Sequence, residues 1–296
     1  MPAVRAGIVI LTEDRWWSGE PKWRAAEELG FDHAWTYDHL GWRSLVDGPW
    51  FSAIPTLTAA AMVTEQIELG TFVASPNFRH PVPFARELMT LDDICDGRLL
   101  CGVGAGGQGY DRAVFGEGEM PPAQRVDRFT EFVEALDGLL TRDEFDYSGE
   151  YYTAAGARNL PGCVRHPRVP FVVAANNPRS LRLAARFGGG WVTTGHPSED
   201  LDGWWRGVAD IAGEFNRAAE QVDRDPGEVR RYLSLDAAPV YSLTCVDTFT
   251  EAAEKAHKLG FTDVVVHWPR SAEPYAGREA VLERVADEVL EEVRDL

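Results

Sequence analysis

The chain has 296 residues, 45% of them hydrophobic and 26% charged, a globular composition with enough apolar material for one large barrel or two smaller domains. Its formal charge of −18 argues against nucleic acid and anionic membranes, which need clustered cations, and leaves a small molecule as the expected partner, with a homodimer the one assembly to consider. No run approaches the roughly 18 apolar residues that span a bilayer, and Met1-Pro2-Ala3-Val4-Arg5 passes into a strand pattern without a signal-peptide profile, so a cytoplasmic location is expected.

In chain order, β-rich apolar runs alternate with helix-period segments. The strands are expected at Val4–Leu11, His33–Asp38, Ile67–Ala74, Leu99–Val103, Pro170–Ala175, Trp191–Thr194, Arg230–Leu235 and Asp263–His267. Helices fall between them; in one, over Glu131–Leu140, Phe132, Val133, Leu136 and Leu140 form a core-facing stripe. Two units echo each other, "AAEELGFDHAWTYDH" and "AHKLGFTDVVVHWP". Each ends a helix at Leu-Gly, where glycine accepts the left-handed C-cap conformation, and restarts as a strand at Phe. Eight such βα units without a linker predict a single (β/α)₈ TIM barrel over 1–296, with active groups at the C-terminal strand ends. Segments 106–121 and 143–169, rich in Gly, Pro and Tyr, exceed ordinary connections and are expected as insertions covering the barrel mouth.

The cysteines, Cys95, Cys101, Cys163 and Cys245, lack C-x-x-C spacing and read as buried reduced thiols, so no metal site is expected. "CGVGAGGQG" holds a formal G-x-G-x-x-G at Gly102, Gly104 and Gly107, but Gly116, Gly118, Pro121 and Pro122 oppose the long helix that a dinucleotide fingerprint requires. A strand end whose backbone approaches a flat ligand is the better reading. In "AANNPRSLRLAARF", Asn177 is the expected N-cap and Pro178 the first helical residue; this helix start either holds a phosphate, helped by Arg179, or is simply well capped.

Asp38 and His39, at the second strand end, are either a satisfied rim pair or a proton-transfer site, since a carboxylate neighbour tunes an imidazole near neutrality. His196 and His267 are weaker rim candidates. Trp16, Trp17, Trp42 and Trp268 flank strand ends and read either as core packing or as an apolar pocket for a ring, with Trp16, Trp42, His196 and Trp268 the substrate-pocket candidates.

Taken together, "LGFDHAWTYDHL", "LGTFVASPNFRHP", "LMTLDDICDGRLLCGVGAGG" and "AANNPRSLRLAARFGGGWVTT" resemble the luciferase-like monooxygenase superfamily, and the Asp-His of "YDHL" resembles its deazaflavin (coenzyme F420) branch, where flavin monooxygenases more often carry Glu-His. The resemblance is strong from about residue 20 to 106, fair from 122 to 195, and weak in the two long segments and beyond 236. It implies a (β/α)₈ barrel with F420, or alternatively FMN, across the mouth. Asp38 would contact the cofactor and His39 would donate or accept a proton. Phe72–Val73 would form a non-prolyl cis peptide behind the ring, with Ser75 touching the ring and Ala105 and Gly106 lying against it. Asn176, Asn177, Arg179 and Ser180 would take the phosphate, with Arg79 adding positive charge. One position departs: sugar-phosphate dehydrogenases of the branch carry a glutamate where this chain has Gly107, which puts sugar oxidation in doubt. The implied activity is hydride transfer between deazaflavin and an apolar organic substrate; the alternatives are an FMN monooxygenase and a cofactor-binding protein without turnover.

Overall fold

Short strand-forming runs become parallel strands that close on themselves. The structure, a computed structural model, describes residues 4–296; Met1, Pro2 and Ala3, read above as the approach to the first strand, lie outside the described residues. The strands are β1 (Arg5–Val9), β2 (His33–Thr36), β3 (Glu68–Thr71), β4 (Leu99–Val103), β5 (Glu144–Ser148), β6 (Thr153–Arg158), β7 (Phe171–Ala174), β8 (Gly190–Thr193), β9 (Arg230–Ser234) and β10 (Asp263–His267). All except β5 and β6 form a closed barrel in the order β1-β10-β9-β8-β7-β4-β3-β2. Each expected strand matches one of these eight. The expected run through Asp38 stops at Thr36, which leaves Asp38 and His39 in the loop that follows.

The helices are α1 (Trp16–Glu28), α2 (Ala53–Ala61), α3 (Pro81–Ile94), α4 (Tyr110–Ala113), α5 (Pro122–Thr141), α6 (Pro178–Phe187), α7 (Leu201–Glu220), α8 (Val246–Lys258), α9 (Glu279–Glu288) and α10 (Leu290–Arg294). Among the described residues, no helix is long and apolar enough to cross a membrane. By contacts the chain clusters into two compact units, the first made of residues 4–10, 22–35 and 173–296 and the second of 11–21 and 36–172.

In the first unit a buried polar knot sits where strands begin. Arg5, His33 and Asp263 open β1, β2 and β10. Arg5 Nε donates to Asp263 Oδ1 at 2.8 Å, and His33 Nε2 lies 3.1 Å from the same oxygen. Trp35 Nε1 donates to His33 Nδ1 at 2.6 Å, so Nδ1 is the acceptor and the ring proton sits on Nε2, toward Asp263. The imidazole needs room, and Gly7 supplies it: a Cβ there would lie 1.8 Å from His33 Nδ1. The two echoed units also fall here. Gly30 and Gly260 adopt φ of 84° and 82°, and Phe31 N–H and Phe261 N–H each reach back at 3.0 Å to a carbonyl of the last helical turn, Ala26 and Ala256. These are the left-handed caps read from Leu-Gly.

In the second unit α5 buries Phe132, Val133, Leu136 and Leu140, the expected stripe. Segment 106–121 follows β4 and so stands at a C-terminal strand end. Segment 143–169 does not: it leads from α5 into the N-terminal end of β7. Rather than a cover for the mouth, it contains the antiparallel hairpin β5–β6, laid along α3 and α5. Tyr152 meets the rings of Phe132 and His80, and Glu131 on α5 accepts the N–H groups of Glu150 and Tyr151, both at 2.8 Å. Alternation was hard to read in this hairpin because only Phe145 of β5 and Ala154 of β6 are buried. The four thiols are free, but only Cys95 and Cys101 are buried; Cys163 is partly exposed and Cys245 exposed, which corrects the uniform expectation. Cys245 opens α8, where hydrogen bonds from Thr248 draw its pKa down.

Gly7→Ala should destabilise the fold by about 1–3 kcal/mol or more, the usual cost of overpacking, because the imidazole is fixed on both nitrogens. Gly107→Ala, whose Cβ would meet nothing within 4 Å, should leave the denaturation midpoint unchanged. Equal midpoints for the two variants would refute the close packing at Gly7.

Candidate functional site

In the second unit, Asp38 and His39 turn to different partners. Asp38 is buried and receives Arg79 in a fork, Nε to Oδ2 at 2.9 Å and Nη2 to Oδ1 at 2.7 Å. Arg79 Nη1 donates to Glu87 at 2.8 Å. With two carboxylates already on one guanidinium, the expectation that Arg79 serves as counter-charge for a cofactor is corrected; the fork instead fixes Asp38.

His39 is held from two sides. Its Nδ1 lies 2.6 Å from Asp111 Oδ2, while the other oxygen of Asp111 accepts Leu40 N–H at 2.8 Å. Trp50 Nε1 donates to the His39 carbonyl at 2.8 Å. Tyr37 stands edge-on to His39 and to Trp42, with centroids 6.0 and 4.9 Å away. The His39 side chain stays 25% exposed, and its Nε2 has no hydrogen-bond partner among the described residues. The result is an imidazole with one nitrogen anchored, the other available and an aromatic ring beside it, an arrangement suited to proton transfer next to an apolar molecule.

After β3 the Phe72–Val73 peptide is cis, as the resemblance implied. β3 and β4 approach so closely that a Cβ on Gly102 would lie 1.9 Å from Thr71 O. Ser75 is buried, and its Oγ accepts weakly from Asn77 N–H at 3.4 Å. Gly106 has φ of 71°, and a Cβ there would meet Asn77 at 2.6 Å, so glycine is required on two counts. Asn77 donates to Gly107 O at 3.0 Å and accepts Arg128 at 2.6 Å; Arg125 donates to Gly106 O at 3.0 Å. These clamps hold a backbone that is open beyond it, since a Cβ on Gly107 or Gly109 would meet nothing within 4 Å. The hydroxyls of Thr12 and Thr36 and the Nε atoms of Arg125 and Arg128 are buried without a hydrogen-bond partner. The open backbone fits a flat ligand such as a flavin or deazaflavin.

Sequence reasoning missed Asp111, Asn77, Arg125 and Arg128. Asp111 belongs to α4, four residues long, inside a glycine-rich segment with no periodic signal; only the general need of a working histidine for an orienting partner could have pointed to it.

In the first unit, Asn177 caps α6 with Pro178 at its first position, and its side chain accepts Ser180 N–H at 3.1 Å. Ser180 Oγ donates to Asn177 O at 3.1 Å. Asn176 bridges the ends of β7 and β8, donating to Thr194 Oγ1 at 2.7 Å and accepting Thr193 Oγ1 at 2.6 Å. Arg179 is exposed. The cap is as expected: Asn177 and Ser180 are engaged in it, and Asn176 in the bridge between β7 and β8.

Each pocket candidate has its own neighbours. Trp42 stands beside Tyr37, and Trp16 opens α1, half-buried. His196 is half-buried and packs on α7 at Gly207. Trp268 is buried and donates to Glu279 at 2.7 Å. His267 pairs with Asp236 at 2.8 Å and stacks on Tyr275 at 3.7 Å.

The chain matches the family model described as luciferase-like monooxygenase over residues 22–257. It is similar to the F420-dependent glucose-6-phosphate dehydrogenase of Nocardia farcinica, 34% identical over 223 residues, a match covering 74% of this chain and 65% of that one. The enzyme of the same name from Beutenbergia cavernae is 29% identical over 321 residues, covering 91% of each. Among solved structures, the coenzyme F420-dependent tetrahydromethanopterin reductase of Methanopyrus kandleri superposes with a TM-score of 0.76 at 19% identity, over 99% of this chain and 100% of the other; that likeness speaks to the fold. By the family match, which runs through most of its length, the chain belongs to the luciferase-like monooxygenases.

Proposed function

We propose that this chain is a cytoplasmic F420-dependent oxidoreductase that transfers a hydride between deazaflavin and a small apolar organic substrate, with His39 as proton partner. The observation that carries the reading is the state of His39: Nδ1 tied to Asp111, Nε2 available, Tyr37 edge-on to the ring and Trp42 packed in turn on Tyr37. The F420-dependent relatives support the choice of cofactor. Bound F420 supplies a ring carbon that passes hydride and reacts poorly with oxygen.

The chain's own residues do the rest. In the oxidation direction, His39 Nε2 takes the hydroxyl proton of an alcohol as the adjacent carbon gives up hydride; in reduction the same nitrogen returns it. Asp38, clamped by Arg79, presents a fixed carboxylate edge, and the clamped backbone at Ala105 and Gly106 admits the ring. The glutamate expected of sugar-phosphate dehydrogenases is absent at Gly107, and the aromatic pair Tyr37–Trp42, with Tyr37 against His39, favours an apolar substrate over a sugar phosphate.

Titrating the protein with F420 and with FMN, in both oxidation states, tests the cofactor. F420 should bind tighter; FMN binding at least tenfold tighter, with oxygen consumption by the reduced complex, would replace this reading with a flavin monooxygenase.

His39→Ala should lower turnover by roughly 10²–10⁴-fold, the usual share of general acid–base catalysis, with F420 affinity nearly intact. Unchanged turnover would remove His39 from the reaction. If Asn176–Ser180 takes the phosphate, Asn177→Leu combined with Arg179→Glu should weaken F420 binding in a variant whose circular dichroism stays native. Wild-type affinity would move the phosphate elsewhere.

A further inference from the structure

We infer that Asp111 is the positioning residue of the proton-transfer step: it fixes the tautomer of His39 so that Nε2, and not Nδ1, carries the reactive lone pair. This rests on the reading of His39 given above, but it makes a claim about the resting protein that is checked without cofactor.

The argument starts from valence. An ionised carboxylate only accepts hydrogen bonds. Asp111 Oδ2 lies 2.6 Å from His39 Nδ1, so Nδ1 must hold the proton in that bond. In the neutral ring the bare nitrogen is then Nε2, the atom without a partner among the described residues. Asp111 Oδ1 at the same time accepts Leu40 N–H at 2.8 Å. One carboxylate therefore sets the protonation pattern of the ring and the backbone just after it. The backbone of His39 is held as well, by Trp50 Nε1 on its carbonyl at 2.8 Å.

Asp111 itself is buried and well anchored. It sits in α4, and its neighbour Arg112, also buried, donates Nη2 to Gly118 O at 2.9 Å while Nη1 meets Glu117 at 3.0 Å. The segment is thereby tied down within a few residues of the carboxylate. Asp111 does not take the substrate proton. It accepts the hydrogen bond of Nδ1–H, and when Nε2 gains a proton the carboxylate stabilises the imidazolium.

The doubly used carboxylate makes Asp111→Asn an informative change. Leu40 N–H demands an acceptor, so the asparagine oxygen stays on it and the amide NH₂ faces His39 Nδ1. An NH₂ group donates; Nδ1 must then become the acceptor and the proton moves to Nε2, which can no longer receive one from substrate. The corresponding change in a Ser-His-Asp triad costs about 10⁴-fold in kcat through the wrong tautomer.

The experiment uses protein labelled with ¹⁵N-histidine, free of cofactor, at a pH where His39 is neutral, with the signal assigned by its loss in His39→Ala. Wild type should show Nδ1 protonated and Nε2 bare; Asp111→Asn should show the reverse. With F420 and a turned-over alcohol, Asp111→Asn should lower kcat by roughly 10²–10⁴-fold with F420 affinity within threefold, and should cost nothing further in the His39→Ala background, as residues acting as one unit do. An unchanged nitrogen pattern in Asp111→Asn would overturn the inference, as would a kcat loss of equal size in the presence and absence of His39. If His39→Ala leaves turnover intact, the proposed function fails at His39 while the nitrogen spectrum still decides what Asp111 does to the ring.

Discussion

One buried carboxylate, Asp263, sets the frame of the first unit. It is fully buried at the start of β10 and gathers Arg5 from β1 and His33 from β2, while Arg5 Nη2 also reaches Tyr232 of β9 at 3.2 Å. Three strands are thus fixed at their beginnings, and β9 at its middle, by groups whose isolated burial would be unfavourable. Such a knot adds little net stability over apolar packing, but a single-residue slip would strand charges in the interior, so it specifies register. Register at the strand beginnings dictates which residues arrive at the strand ends, Trp268 after β10 among them. Conservation of geometry at one end is how the other end keeps its chemistry.

The second unit uses a different constraint, close backbone approach. Gly102 lets β4 lie against Thr71 of β3, and Gly106 turns through a left-handed conformation with Asn77 pressed beneath it. Side chains are excluded there, so the surface left for a ligand is backbone, held in place by Asn77, Arg125 and Arg128. On the proposed function, recognition of a planar ring would depend on fixed peptide edges rather than on flexible side chains, which limits the entropy lost on binding.

These two devices explain what could be read in the sequence. Strands such as Asp263–His267 and Leu99–Val103 were legible because buried parallel strands are continuous apolar runs with glycine turns ahead of them. The α6 cap was legible because Asn-Pro fixes a helix start through local chemistry alone. The polar knot was not, since Arg5, His33 and Asp263 are far apart in sequence and each looks like an ordinary strand-end residue. Asp111 was hidden for the same reason: it meets His39 across 72 positions of chain. The β5–β6 hairpin was hidden because its outward face is polar on most residues and it has no core alternation to betray it. Local signals carried the scaffold; the side-chain pairs that give it chemistry are non-local.

The origin of the Asp111 carboxylate has an evolutionary consequence. The histidine belongs to a scaffold loop, whereas its orienting acid arrives on a four-residue helix in a stretch punctuated by Gly106, Gly107, Gly109, Gly116 and Gly118. That stretch lies outside the barrel strands and is tied down by its own anchors, Arg112 chief among them. On the proposed reading of His39, a descendant that moves the acid, or exchanges it for an amide, would change whether the same imidazole receives or gives a proton, through residues that all lie outside the barrel strands.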